Sequence, residues 1–182
     1  MLSFNMELGL LKTALRGLQL LWCLILIALI GNVIALSRNP SGSSTAAVNF
    51  TMFVIVASTL AAVYGLLARF FPSVENPKVA LPADVFASLL TFLGGVVLSA
   101  KLGVVNCGDL ERLKGDKGLP GSWIGWGSAD DEKRCREIQA GAAFMWFLFF
   151  CFVGSAVFTW RDSRRGFSSI ASSLPPMSQL GV

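Results

Sequence analysis

Length, composition and charge exclude an ordinary soluble domain. The chain has 182 residues, of which 54% are hydrophobic and 14% charged, and its mean hydropathy is +0.65. Soluble domains carry about 25% charged residues, so much of this apolar surface must face lipid. The net charge of +4 does not indicate nucleic acid, because the basic residues flank apolar runs and form no stripe with interleaved aromatic residues. A basic balance in such a chain is typical of contact with anionic lipid headgroups.

Four apolar runs predict an all-α membrane protein, a bundle of four transmembrane helices. Each run has about 20 residues or more, enough at about 1.5 Å per residue to cross a hydrocarbon core of about 30 Å. Within a transmembrane domain of residues 14–160, the predicted spans are 14–36, 48–71, 82–105 and 140–160. The first run is longer than the apolar region of a secretory signal, so we interpret it as a retained helix.

An even number of spans places both ends of the transmembrane domain on one side of the membrane. With Arg16 and Arg69 counted at the ends of their spans, the basic residues beside the spans and in the loops divide evenly, seven to each side, so their positions decide the orientation. Lys12 and Arg16 flank the first span, and a cluster of three arginines directly follows the fourth. Positive residues next to spans mark the cytosolic side. We therefore expect a cytosolic N-terminus (1–13), a cytosolic tail (161–182) and a multi-pass protein.

One 34-residue extracellular loop, residues 106–139, is predicted between helices 3 and 4. Its acidic residues are interleaved with Lys and Arg and indicate a solvated surface of mixed charge. Cys107 and Cys135 lie near its two ends, each close to a membrane boundary. On an extracytosolic face such a pair favours a disulfide, which would stabilise the loop by about 3–4 kcal/mol. The alternative is two free thiols in a cytosolic loop, which requires the inverted orientation.

Two tryptophans in the same loop, Trp123 and Trp126, are predicted to be membrane-interface anchors. Indole rings prefer the interface, so this limb of the loop is expected to fold back onto the lipid headgroups. A hot spot that binds a protein partner is the alternative interpretation.

The tail after the fourth span is predicted to be disordered, because it is rich in Ser and Pro and lacks apolar periodicity. Arg161, Arg164 and Arg165 are candidate lipid-headgroup contacts. Ser163 lies within this basic cluster and Ser168 follows it, so both are candidate phosphorylation sites whose added charge would weaken lipid contact. The alternative is that the arginines serve only as a topology signal.

Asp84 is the one acidic residue predicted at membrane depth. Such a carboxylate suggests a proton relay, an ion site or a lipid-headgroup contact. The interpretation we favour is a helix cap: Pro82 suits the first helical position, which would put Asp84 in the first turn, where free N–H groups accept a negative charge.

Small residues in two spans predict close helix packing. In lipid, hydrophobicity does not drive helices together, and small side chains let their backbones approach closely. Packing within the protein's own bundle is the simpler interpretation and self-association the alternative. The residues concerned are Ala57, Ala61 and Gly65 in span two and Gly94, Gly95 and Ser99 in span three.

The chemistry of common active sites is missing from the sequence. The chain has no histidine, which removes the commonest general base and metal ligand. It also lacks a Cys-x-x-Cys pair, a P-loop and a Gly-x-Ser-x-Gly elbow. We therefore predict no enzymatic activity, no catalytic residue, no cofactor and no metal site.

Several segments in order along the chain resemble the fungal non-classical export protein family, a branch of the MARVEL-domain four-span proteins. The resemblance covers about residues 11–160. It is carried by Val48-Asn49-Phe50, Met52-Phe53, Tyr64-Gly65, Asp84, Asn106-Cys107, Arg134-Cys135-Arg136 and Gln139-Ala140.

This resemblance implies a protein of the plasma membrane that belongs to eisosome-type microdomains. It implies a role in organising those domains, with a link to sphingolipid signalling. Expected partners are anionic lipids, sphingolipids or sterol, and other membrane proteins, a second copy included; nucleic acid is not expected. Two other functions stay open: an adaptor for unconventional export, and a subunit of a channel or transporter, for which Asp84 would have to line a water-filled path.

Overall fold

The structure is a computed structural model, and the residues that it describes form four long helices and one short 3₁₀ turn. It describes the backbone of residues 2–38, 41–71, 77–110 and 119–173, and the side chains of 9–38, 41–71, 79–110 and 119–164. The helices are α1 (Leu2–Ala35), α2 (Gly42–Phe70), α3 (Pro77–Leu102) and α4 (Asp131–Ser173), with the 3₁₀ turn at Cys107–Asp109. The described residues contain no strand, only an isolated bridge between Ser37 and Ser128.

All four helices are long and apolar enough to span a membrane, so the predicted all-α four-span architecture is confirmed. Helices α1 and α3 each pack against both α2 and α4, which closes the bundle into a ring of four. A core of fully buried side chains, among them Leu26, Ile55, Leu98 and Met145, fills the centre. The outer faces carry exposed large apolar residues. This is the arrangement expected where the surrounding solvent is lipid.

Local signals explain where helices begin and end. Ser41 caps α2, its side chain accepting a hydrogen bond from the Ser44 N–H. Helix α3 ends before Gly103, which has a φ of +69°, a conformation that favours glycine. The Asp130 carboxylate accepts a hydrogen bond from the Lys133 N–H, and Asp131 and Glu132 follow in the first turn of α4.

All four helices differ from their predicted extents, and α1 begins at Leu2 and α2 at Gly42, each before its predicted span. Helix α3 begins at Pro77 and contains Pro82 in its interior, because the earlier proline already supplies a favourable helix start. Helix α4 begins at Asp131, which shortens the predicted loop.

At its other end α4 continues to Ser173, so the predicted disorder of the tail is wrong for residues 161–173. The Ser163 hydroxyl donates to the Thr159 carbonyl, and Lys12 of α1 forms an ion pair with Asp162. Both contacts lie just beyond the end of the predicted fourth span. Residues 174–182 lie outside the described part of the chain.

Candidate functional site

A buried ion pair joins α1 to α3 within the spans. The Arg16 guanidinium donates from Nη1 to Asp84 Oδ1 and from Nη2 to Asp84 Oδ2, and each distance is 2.6 Å. The two side chains are 8% and 1% exposed. Paired hydrogen bonds between a guanidinium and a carboxylate are strong and fix the relative orientation of both groups. This contact therefore sets how α1 and α3 face each other.

Gln19 extends the ion pair to α4. Its side-chain oxygen accepts a hydrogen bond of 3.1 Å from Arg16 Nη1. Its side-chain nitrogen donates to the Cys151 carbonyl at 3.1 Å and to the Ser155 hydroxyl at 2.8 Å. Gln19 has no exposed surface. Because buried polar groups need partners, the network is satisfied only when three helices meet in this register.

Helix α2 contributes space for the Arg16 guanidinium rather than a side chain. A Cβ atom built on Gly65 of α2 would lie 2.4 Å from Cζ of Arg16, far inside van der Waals contact. The absence of a side chain at Gly65 therefore leaves the space that the Arg16 guanidinium occupies. All four helices thus shape the site around Arg16 and Asp84.

The helix-cap role predicted for Asp84 is wrong. Helix α3 begins at Pro77, so Asp84 lies about two turns beyond the start, past the free N–H groups of the first turn. Its charge is balanced by Arg16, and the Thr159 hydroxyl lies 3.5 Å from Oδ2. The sequence indicates only a topology signal at Arg16, because no local pattern links it to a residue 68 positions away.

The small residues of the middle spans contact other helices of the same bundle. A Cβ on Gly94 would lie 3.4 Å from Met145 and Val54, and one on Gly95 would lie 3.3 Å from the Trp146 ring. Ser99 accepts a hydrogen bond of 3.3 Å from the Trp146 indole.

In α2, Ala57 and Ala61 are partly buried and Gly65 is buried. The contacts of the small residues therefore agree with packing inside the bundle, and self-association stays a prediction.

The loop before α4 folds onto the bundle. Trp123 is 5% exposed, and its indole N–H donates to the Leu102 carbonyl at the end of α3, at 2.8 Å. Trp126 packs edge-on against Trp123, with ring centroids 5.0 Å apart. The Trp123 N–H thus has a partner inside the protein, and the anchoring of the two tryptophans at the membrane interface stays a prediction.

Arg134 is a structural residue that sequence reasoning missed. The sequence predicts a solvated side chain in the mixed-charge loop, yet Arg134 is 2% exposed. Its Nε donates to the Ile124 carbonyl at 2.9 Å, and its Nη1 donates to the Val33 carbonyl at 3.2 Å and to the Ser37 hydroxyl. One side chain thereby joins the loop and the end of α1 to α4. The signals in the sequence are its position beside Cys135 and its place in a segment that carries the family resemblance.

The disulfide between Cys107 and Cys135 is present and links the 3₁₀ turn after α3 to the first turns of α4. Both cysteines are buried. The other two cysteines, Cys23 and Cys151, are free and buried within the spans.

The basic cluster after the fourth span is only partly described. Arg161 is exposed, and the Arg164 guanidinium lies 5.2 Å from the centroid of the Trp160 ring. The side chains of Arg165 and Ser168 lie outside the described residues. Lipid contact by the arginines and phosphorylation of Ser163 or Ser168 stay predictions.

The chemical groups of the site can hold a bundle together but are not arranged for metal binding. In the portion of the chain that the structure describes, no cluster of three or more His, Cys, Asp or Glu residues could hold a metal ion. The site joins one cation, one anion and neutral hydrogen-bonding groups, all within the protein.

Comparison with known proteins agrees with this architecture. Residues 8–158 match the family model MARVEL, described as a membrane-associating domain. The chain is 28% identical to non-classical export protein 2 homolog 1 of Saccharomyces cerevisiae over 139 residues, 76% of this chain and 72% of that protein. It is 25% identical to the non-classical export protein 2 homolog of Schizosaccharomyces pombe over 150 residues, 82% of this chain and 76% of that protein.

No solved structure matches the chain. The family model covers most of the chain and coincides with the four helices, so the resemblance inferred from the sequence is confirmed. The chain belongs to the MARVEL family of four-span membrane-associating proteins.

Proposed function

We propose that this protein is a non-enzymatic organiser of plasma-membrane microdomains of the eisosome type. It acts by lateral association of its helix faces with lipids, sphingolipids or sterol among them, and with other membrane proteins. The observation that carries the proposal is the separation of polar and apolar groups. Arg16 and Asp84 are paired inside the bundle, whereas all four helices present large exposed apolar side chains outward, for example Leu24, Leu60, Phe86 and Phe150.

Such a bundle offers lipids and neighbouring proteins a continuous apolar surface. In lipid, association depends on packing and shape, and the exposed aromatic residues provide large rigid contact areas. Both termini lie in the cytosol in this proposal, which places exposed Arg161 beside the anionic cytosolic leaflet.

An adaptor for unconventional protein export is the second candidate. It is favoured by the names of the Saccharomyces cerevisiae and Schizosaccharomyces pombe relatives, which are called non-classical export proteins or their homologues. The third possibility, a channel subunit, is less well supported, because the Asp84 carboxylate is 1% exposed and already paired with Arg16.

Deletion of the gene in its fungal host separates the two main candidates. If the protein is an organiser, fluorescent markers of plasma-membrane microdomains should disperse in the deletion strain, while the secreted amount of a leaderless reporter protein should be unchanged. If it is an export adaptor, the microdomain markers should stay in place and the secreted amount of the reporter should fall. Re-expression of the wild-type chain is the control and should restore whichever property was lost. Intact microdomains in the deletion strain would overturn the organiser proposal.

A further inference from the structure

A cavity lies between α1 and the start of α4, at the end of the bundle away from Arg16 and Asp84. Its volume is about 460 Å³, within the range of small-ligand sites. Charged side chains from the start of α4 form its upper walls, and two apolar residues lie one to two turns deeper. The lining residues are Leu29, Asp130, Glu132, Lys133, Arg136, Glu137 and Ala140.

Glu137, which lines this cavity, has one carboxylate oxygen without a hydrogen-bond partner within the described residues. Its Oε1 accepts from the Asn32 side chain and lies 4.0 Å from Lys133 Nζ. Its Oε2 is buried and has no hydrogen-bond partner within the described residues. An unmet buried carboxylate oxygen costs free energy, so the position favours a ligand that brings a donor. The terminal torsion of Glu is broad, so a modest rotation of the carboxylate can present this oxygen to a ligand.

The charges around the cavity suit a zwitterion. The lining contains three acidic residues, Asp130, Glu132 and Glu137. It also contains two basic residues, Lys133 and Arg136, so its formal net charge is −1. Glu132 and Arg136 also form an ion pair along α4. A purely anionic headgroup would meet excess negative charge here. A headgroup with both an ammonium and a phosphate would place opposite charges near Glu137 and near Lys133 or Arg136.

The apolar residues favour a lipid over a soluble ion. Leu29 of α1 and Ala140 of α4 lie in the apolar part of their spans, below the charged residues. A polar wall above an apolar wall matches the border between a headgroup and its acyl chains.

We propose that this cavity binds the headgroup of an aminophospholipid such as phosphatidylethanolamine. The ammonium donates hydrogen bonds to the Glu137 carboxylate, the phosphate lies near Lys133 and Arg136, and the acyl chains run along Leu29 and Ala140. This site goes beyond the organiser role, and its occupancy is measurable in purified protein whatever the cellular role is.

Native mass spectrometry of the purified full-length chain tests the site by titration with two lipids of identical acyl chains. Phosphatidylcholine differs from phosphatidylethanolamine by three N-methyl groups in place of N–H donors. We expect phosphatidylethanolamine to bind about tenfold more tightly, as for loss of a hydrogen bond to a charged group. Equal binding of the two lipids would overturn the proposal.

The variant Glu137→Gln provides a second test of the site, in the same titration with the two lipids. It keeps an oxygen for Asn32 but removes the charge that attracts the ammonium, so the preference for phosphatidylethanolamine should fall to near onefold. Asp109→Asn, which alters an exposed carboxylate outside the cavity on the same end of the bundle, should retain it. An undiminished preference in Glu137→Gln would also overturn the proposal. Should this variant not fold, the comparison of the two lipids in the wild-type chain decides.

Discussion

The Arg16 guanidinium and the Asp84 carboxylate each need the other to balance a charge that is buried in the bundle. A buried ion pair adds little stability over a well-packed apolar pair, because removing both charges from water offsets most of their attraction. Removing one partner is different, since the other is then left charged and unpaired in a low-dielectric interior. Arg16 and Asp84 therefore specify helix register more than they add to stability.

Asp84→Asn should destabilise the protein by about 3–5 kcal/mol, because the neutral amide leaves the Arg16 charge unbalanced. A helix cap would have predicted nearly normal stability, since Asn is also a good capping residue. Thermal unfolding in detergent micelles measures the difference. Asp162→Asn is the matched control: it removes an acid that pairs with Lys12 but is 47% exposed, and it should change stability by less than about 1 kcal/mol.

Removing both charges together checks the same pair from the other direction. The double variant Arg16→Met, Asp84→Leu should recover most of the stability lost in Asp84→Asn, because no unpaired charge remains. A double variant as unstable as the sum of its single variants would show that the two side chains act independently.

Gly65→Ala should lower stability by about 1–3 kcal/mol, because the added methyl group would lie 2.4 Å from Arg16 Cζ and force the guanidinium away from Asp84. Gly17→Ala on α1, where a Cβ meets nothing within 4 Å, is the control and should be neutral or slightly stabilising. Unfolding temperatures of the two variants give the comparison. Equal effects would mean that the close approach at Gly65 is unimportant.

At the scale of the helices, the apolar runs were sufficient to predict four spans and insufficient to predict their ends. Hydropathy marks the part of a helix that needs lipid, whereas capping and polar contacts decide where it stops. Helix α4 shows this at both ends. The Asp130 carboxylate caps its start, before the apolar run begins, and the Lys12–Asp162 ion pair lies beyond the end of that run. Neither contact can be recognised from the hydropathy of the sequence.

The site was predictable only in parts. Asp84 stood out because a charge at membrane depth is rare, and the cysteines stood out by their positions at the loop ends. The pairing of Asp84 with Arg16 and the burial of Arg134 depend on contacts between residues distant in the chain. Arg134, for example, donates to Val33, which lies 101 positions earlier. Local patterns carry no information on such contacts.

The disulfide should be the main stabiliser of the loop between α3 and α4. Its cysteines are 28 residues apart, so the double variant Cys107→Ser, Cys135→Ser should lose about 3–4 kcal/mol in the chain-entropy model. Non-reducing peptide mass spectrometry should find Cys107 and Cys135 in one bridged fragment, with Cys23 and Cys151 as free thiols. Alkylation of Cys107 and Cys135 without a reductant would contradict the bridge.

At the scale of the whole molecule, the bundle has two chemically different ends. One end holds the Arg16 network and the Lys12–Asp162 pair, and the other holds the disulfide, Arg134 and the cavity at Glu137. Disulfides form and persist on the extracytosolic side of membranes. The end with the Cys107–Cys135 bridge should therefore face outward, and the opposite end should face the cytosol.

Labelling of introduced cysteines tests this orientation in intact cells. Ala129→Cys lies on the exposed loop beside the disulfide end, and Ser178→Cys lies near the carboxyl end of the chain. A membrane-impermeant maleimide should label Ala129→Cys before permeabilisation and Ser178→Cys only afterwards. The native thiols of Cys23 and Cys151 are buried and should contribute little background in either condition. The reverse labelling order would invert the topology and place the disulfide in a reducing compartment, which would contradict both assignments at once.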